Sequence, residues 1–206
     1  LDAMSRGVLI TTTYRNDSKE ARSGSVDDYW KPSGKRGTFQ GVRWIDAVDP
    51  ADRGSYAAVW VNGQRRSGIA SNPGSLSLKP GETATYTRFL AVANSPAAAV
   101  SEALVYATSA KNLLAGELKD PAGQPVNDAT FEIRSGNETL PGYPLGHGKF
   151  AVHLPAGEYG VRITDRGRTT FDRKVTLQGN QATVLSETLS ALSGVALNIT
   201  DAGGNS

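Results

Sequence analysis

Two histidines, a run of three aspartates and an adjacent tyrosine and tryptophan are the side chains of this sequence best able to do chemistry. His147 in PLGHGKF and His153 in FAVHLPAG are its only imidazoles, and imidazole suits both metal binding and general-base work near neutral pH. Six residues apart on one strand, they would share a face. Gly146 and Gly148, however, put His147 in a turn, so the expected roles are turn and strand-face positions without chemistry. Asp46, Asp49 and Asp52 in WIDAVDPADRG lie three residues apart. They lack the glycine spacing and the closing bidentate glutamate of a calcium loop, whose ion needs about six to eight oxygens. Asp before Pro and Asp near Gly bond the local backbone in reversals, so turn formation is the expectation here. Tyr29 and Trp30 follow Asp27 and Asp28 in DDYWKPSGKRG. An exposed aromatic face with polar groups beside it is a platform for a sugar ring, which makes these four residues the ligand-binding candidates.

Other chemistries find no support. The sequence has no cysteine, which removes disulfides, thiolate metal sites and thiol nucleophiles. No GxSxG elbow is present, nor a GxGxxG or GxxxxGK[ST] loop, so serine hydrolysis and nucleotide binding are not expected. The 22 basic and 20 acidic residues are interspersed and sum to +2, leaving no basic stripe for nucleic acid. No apolar run approaches the roughly 20 residues of a membrane span. The start, LDAMSRGVLITTT, has no signal-peptide pattern, and an opening Leu1 is read as a processed or excised segment.

The elements that would position these residues are mostly strands. With 206 residues, 38% of them hydrophobic, and 23 glycines and 10 prolines scattered along it, the chain suits a globular fold rich in turns. Short runs of alternating apolar and polar residues predict strands over 8–14, 41–48, 56–61, 74–78 and 83–92. The polar, glycine-rich stretch 18–38 reads as a long surface loop. In NSPAAAVSEALVYA, Ser95 can cap a helix, Pro96 sits at its first position, and Val100, Leu104 and Val105 follow, predicting a helix over 96–107. Alternation then resumes over 113–118, 129–133, 149–154, 158–164, 170–177 and 182–189. Trp44 and Trp60 fall at alternating strand positions and are expected in the core.

The fold class expected is all-β: two β-sandwich domains, the second immunoglobulin-like, with one short helix near their junction. The divisions are 1–109, a sandwich closed by the helix; 110–190, the second sandwich; and 191–206. In the last of these, LNITDAGGNS repeats the strand and turn of LKDPAGQPVN, as the stub of a following module would.

The run GELKDPAGQPVNDATFEI, with GKFAVHLPAGEYGVRITDRGRTTFDRKVTLQGNQATVLSETL, resembles the carboxypeptidase-regulatory-like group of bacterial immunoglobulin-like sandwiches over about 113–189. Its marks are the DxxGxPV turn, with Gly123 and Pro125, and the LPAGxYxVxI hairpin, with Gly157, Tyr159, Val161 and Ile163. The glycines there suit turns of positive φ. SLSLKPGETATYTRFLAVANSPAAAVSEAL resembles strands that precede such modules in exported bacterial proteins, some of which end in a PHP-type metallohydrolase domain. The resemblance implies a spacer or accessory role with no catalytic set, no cofactor and no metal within this chain. It also implies a periplasmic or extracellular location and further domains of the same polypeptide as partners. Two rivals stand beside it: a carbohydrate-binding module using Tyr29 and Trp30, and a mutarotase-like sugar enzyme, which would need a histidine and a carboxylate in one cleft.

Overall fold

A computed structural model describes residues 7–26, 34–46, 54–60, 74–108, 110–144, 146–165 and 168–189. The fold is all-β, made of packed sheets and one helix. In chain order, β1 (Gly7–Arg15), β2 (Arg22–Val26), β3 (Arg36–Phe39), β4 (Val42–Asp46), β5 (Ser55–Trp60), β6 (Gly74–Leu78) and β7 (Thr83–Ala93) precede helix α1 (Pro96–Thr108). After it come β8 (Asn112–Lys119), β9 (Thr130–Ser135), β10 (Glu138–Gly142), β11 (Lys149–Leu154), β12 (Gly157–Asp165), β13 (Arg168–Leu177) and β14 (Ala182–Thr188).

Before the helix, β1-β7-β5-β4-β3 form an antiparallel five-stranded sheet, and β2 pairs with β6. Beyond it stand a four-stranded sheet, β10-β9-β12-β13, and a three-stranded sheet, β11-β8-β14, in which β14 runs parallel to β8. Alternation explains the packing of these two sheets. Phe131 and Ile133 of β9, Tyr159, Val161 and Ile163 of β12, and Leu114 and Leu118 of β8 are all buried, as period-2 strands with one face inward require.

Helix α1 begins as its sequence predicts. The Ser95 hydroxyl accepts a hydrogen bond from the Ala98 N–H at 3.2 Å, satisfying one of the donors a helix start leaves open. The helix is buried through Ala97, Ala99, Val100, Ser101, Ala103 and Leu104. That breadth of burial fits a helix packed on more than one side. It touches β4, β5 and β7 of the five-stranded sheet and also β10 and β11 of the later sheets, and small alanines let it lie close to both. Tyr106 stacks on Phe89 with ring centroids 4.2 Å apart. The backbone N–H of His153 donates to the Ser101 hydroxyl at 2.7 Å, so the helix covers the edge strand β11.

Three further links join the parts before and after the helix. Gln40 and Gly41, with φ of 52° and 77°, form the two-residue reversal between β3 and β4. From this tip the Gln40 N–H donates to Glu138 Oε2 and its side-chain amide donates to Ser135 Oγ, each at 2.8 Å. Tyr143 donates its hydroxyl proton to Asp46 Oδ2 at 2.8 Å. Phe39 faces Tyr159 with centroids 6.4 Å apart. The buried hydrophobic residues accordingly form one continuous cluster, from Trp44 and Phe89 through Leu104 to Phe131 and Val161.

Two readings of the sequence change. The stretch 18–38 contains β2 and β3 and is not one long loop. Both strands are short and polar, and the Arg22 and Ser23 side chains of β2 are exposed. A strand, β10, also runs through ETLPG, where Pro141 argues against one; it is tolerated because β10 is an edge strand that pairs only with β9. Within the DxxGxPV turn, Gly123 has φ of 79°, and Asp120 Oδ1 accepts the Gln124 N–H at 2.8 Å. Gly157, at φ of 158°, lies closer to extended backbone than to a left-handed turn.

Candidate functional site

Residues opposite one another in an antiparallel pair share a face, so the register of the five-stranded sheet sorts its side chains. One face turns to α1: Gly37, Trp44, Ala57 and Ala91 in one row, Phe39, Val42, Val59 and Phe89 in the next. All of these side chains are buried, Gly37 apart. The other face carries the row Thr38, Arg43, Ala58, Leu90, Val8 and the row Arg36, Ile45, Tyr56, Val92. Farther along the same face come Arg88 and Ile10, then Tyr86 and Thr12, then Tyr14.

This second face is open. Tyr56, Val92 and Val8 keep 37%, 44% and 57% of their surface accessible, high values for apolar or aromatic side chains of a sheet. Tyr14 and Tyr86 meet edge to face at 5.9 Å, and the Arg88 guanidinium donates to Thr12 Oγ1 at 2.9 Å. A cleft of about 260 Å³ opens at β3–β5, lined by Arg36, Thr38, Arg43, Ile45 and Ala58 of this face together with Gly37 and Trp44 of the helix-facing side. Among the described strand residues of this sheet the single carboxylate, Asp46, belongs to the helix-facing side, where it also accepts the Ser55 hydroxyl at 2.9 Å. Among the described strand residues this face therefore combines three arginines with tyrosine and aliphatic surface. Such a surface can hold an anionic group by charge-assisted hydrogen bonds while covering an apolar ring face.

A second cleft, of about 320 Å³, is lined by Arg134, Gly136, Glu158, Tyr159, Gly160 and Lys174. Its arginine is held in an ion pair. Arg134 forms an ion pair with Asp172, which Arg162 shares at 3.0 Å. The hydrogen bond from Arg162, with the charge of Arg134 beside it, holds the Asp172 carboxyl below the usual carboxylate range. The Tyr159 phenol donates to the Pro155 carbonyl at 3.0 Å, and burial pushes its pKa up to about 12. It stays protonated and structural at neutral pH.

The residues singled out from sequence fare differently. Asp27, Asp28, Tyr29 and Trp30 lie outside the described residues, as do Asp49 and Asp52. Asp46 ends β4 and bonds across to Tyr143, so its role is a link between sheets and not a local turn. His147 occupies the turn before β11, with φ of 51°, and His153 lies on β11. Neither of the two clefts is lined by a histidine, which removes from both the pairing a mutarotase-like reaction needs. Trp44 is buried in the core as its strand position predicts. Sequence reading missed the Arg36, Arg43 and Tyr56 face. Its signal was the placement of those residues opposite the buried positions of β3, β4 and β5, which needs the register to be recognised.

No family model matches the chain, and no curated protein matches it. Solved structures give β-rich likenesses of low identity. A protein of Bacteroides uniformis described as carbohydrate binding is 17% identical, with a TM-score of 0.31, over 38% of this chain and 41% of that one. The Bacillus anthracis TIE protein is 10% identical, with a TM-score of 0.34, over 91% of this chain and 35% of that one. A polysaccharide lyase is 12% identical, with a TM-score of 0.29, over 88% of this chain and 32% of that one. The chain thus spans less than half the length of each of these three.

Proposed function

We propose that this chain is a non-catalytic accessory region of an exported bacterial protein, holding neighbouring domains in a fixed relation. In this reading 1–109 and 110–190 are two sandwich units and α1 is the wedge that fastens them. The observation that carries it is the burial of α1 against both the five-stranded sheet and strands β10 and β11. A spacer is useful only if it is stiff, and a continuous apolar seam resists bending far better than a flexible linker. The periplasmic or extracellular location and the carboxypeptidase-regulatory-like character of the second unit rest on the resemblance of its DxxGxPV and LPAGxYxVxI motifs.

Stiffness can be measured directly, because the sequence has no cysteine to interfere with labelling. Spin labels on Thr83→Cys and Thr176→Cys, one on each side of the helix, are expected to give a single narrow distance distribution. A broad distribution would sink the spacer reading.

A second reading, glycan binding through Tyr29 and Trp30 with Asp27 and Asp28, is favoured by chain connectivity. Their segment follows β2 and leads into β3, whose Arg36 lines the open cleft. Trp30→Ala is then expected to reduce retention on an immobilised glycan column by about tenfold, as loss of a stacking platform does. Unchanged retention would remove those residues from the site.

A further inference from the structure

The first strand after α1, β8, and the last described strand, β14, lie side by side and run parallel. We propose that this part of the chain carries tension, with the β8–β14 ladder as the element that resists it. The inference rests on the accessory-spacer reading and gives the spacer a physical task, which is to keep neighbouring domains joined while a force acts between them.

Direction decides how a strand pair meets a force. Leu113 stands beside Ala182 and Lys119 beside Thr188, so the start of β8 and the end of β14 are at opposite ends of the ladder. Tension that reaches β8 from α1 and leaves past Leu189 therefore slides the two strands along each other. The hydrogen bonds of a parallel pair run between the strands at even spacing, so all seven register positions share the force and none gives way alone. The antiparallel hairpin of β12 and β13 is the contrast: Gly157 and Leu177 lie at one end, and a pull on that end would peel its bonds one after another.

Both ends of the ladder are fastened. The Leu113 N–H donates to the Gln181 carbonyl at 3.2 Å at one end, and the Leu189 N–H donates to the Lys119 carbonyl at 2.7 Å at the other. Where the tension enters, the buried side chain of Asn112 accepts the Asn180 N–H at 3.0 Å and donates to the Leu154 carbonyl at 3.2 Å. It thereby ties the start of β8 to the turn before β14 and to β11. Freeing that amide leaves buried polar groups unpaired, which is costly where water cannot replace the lost partners. β8 is also held between β11 and β14, with Leu114 and Leu118 fully buried, and Leu185 of β14 packs against the same core. Sliding the strands would drag these side chains out of close-packed sites.

The test pulls the intact chain between DNA handles in an optical trap, with cysteine pairs introduced into a sequence that has no cysteine of its own. Lys111→Cys with Thr188→Cys pulls the ladder lengthwise; Lys111→Cys with Gln181→Cys pulls the same two strands apart from one end. All three positions are exposed, and Ser186→Cys, also exposed, replaces Thr188→Cys if urea titration finds the lengthwise variant destabilised. Forced unfolding is governed by the unfolding rate and not by equilibrium stability, so two variants with one urea midpoint can still differ in the force they withstand. The lengthwise pair is expected to unfold at a force several-fold higher than the end-on pair at the same pulling speed. Equal forces would overturn the proposal, and so would a higher force for the end-on pair. A narrow spin-label distribution with equal forces would leave a stiff spacer without a tension-resisting ladder. A broad distribution with the force ratio intact would leave the ladder and remove the stiffness, so the two readings fail separately.

Discussion

Replacement of Phe39 by alanine is expected to cost about 3–5 kcal/mol, the range for emptying a fully buried phenylalanine site. Phe39 has no exposed surface and ends the four-residue strand β3. Its ring meets Tyr159 of β12 across the seam. Collapse into the resulting cavity is hindered because the neighbouring Gln40 is pinned by its bonds to Glu138 and Ser135. The informative readout is which parts of the chain lose stability. If the seam makes one cooperative unit, urea midpoints followed by tryptophan fluorescence and by the amide signals of Val161 and Ile163 should fall together. If the fluorescence midpoint falls alone, the sheets on the two sides of α1 unfold independently, and the continuous core does not couple them.

How much of this fold was legible depends on where burial imposes a pattern. β8, β9, β11 and β12 each have one face in a sandwich interior, and their sequences alternate almost without fault. NLLAGELK reads as buried and half-buried residues in strict turn. Helix α1 was legible for a different reason: Ser95 and Pro96 are local start signals that act whatever the helix later packs against. β2 and β3 were not legible. β2 pairs only with β6, and β3 buries only Phe39, so neither carries enough apolar residues to mark a face. The QG reversal between β3 and β4 was hidden as well. Gln40 takes the left-handed conformation, which Asn or Asp would have advertised more plainly.

The candidate site was less legible than the fold because it is defined by register. Arg36, Arg43 and Tyr56 are ordinary residues in sequence, separated by as many as 20 positions. Only pairing of β3 with β4 and of β4 with β5 brings them onto one surface. Asp46 illustrates the converse. Its spacing with Asp49 and Asp52 drew attention as a local cluster, but its oxygens are taken by Ser55, nine residues on, and Tyr143, 97 residues on. Sequence spacing reports local chemistry well and reports contacts between sheets hardly at all.

Gly148→Ala is the second large effect expected, and here sequence and structure agree on the cause. PLGHGKF places two glycines around His147, and all three residues take positive φ: 99° at Gly146, 51° at His147 and 67° at Gly148. A side chain in the left-handed region costs about 1–2 kcal/mol. At Gly148 there is a further term. A Cβ there would fall onto the carbonyl oxygen of Leu118 and lie 3.2 Å from the backbone nitrogen of Val126, and neither can swing aside as a flexible side chain would. The Gly148 carbonyl accepts the Leu118 N–H at 2.9 Å, and its own N–H donates to Asn127 Oδ1 at 2.9 Å. Moving the residue to relieve the clash would therefore strain the start of β11 and the end of β8 together. Adding about 1–3 kcal/mol for forced overpacking brings the expected loss to roughly 2–5 kcal/mol. Gly146→Ala supplies the comparison, because its φ is also positive while the space around it is open. It should show the conformational cost alone, about 1–2 kcal/mol, in the same urea titration. Equal losses for the two variants would mean that the β8–β11 backbone yields at Gly148; a larger loss at Gly148 would mean that the close approach to Leu118 fixes how these two strands pair.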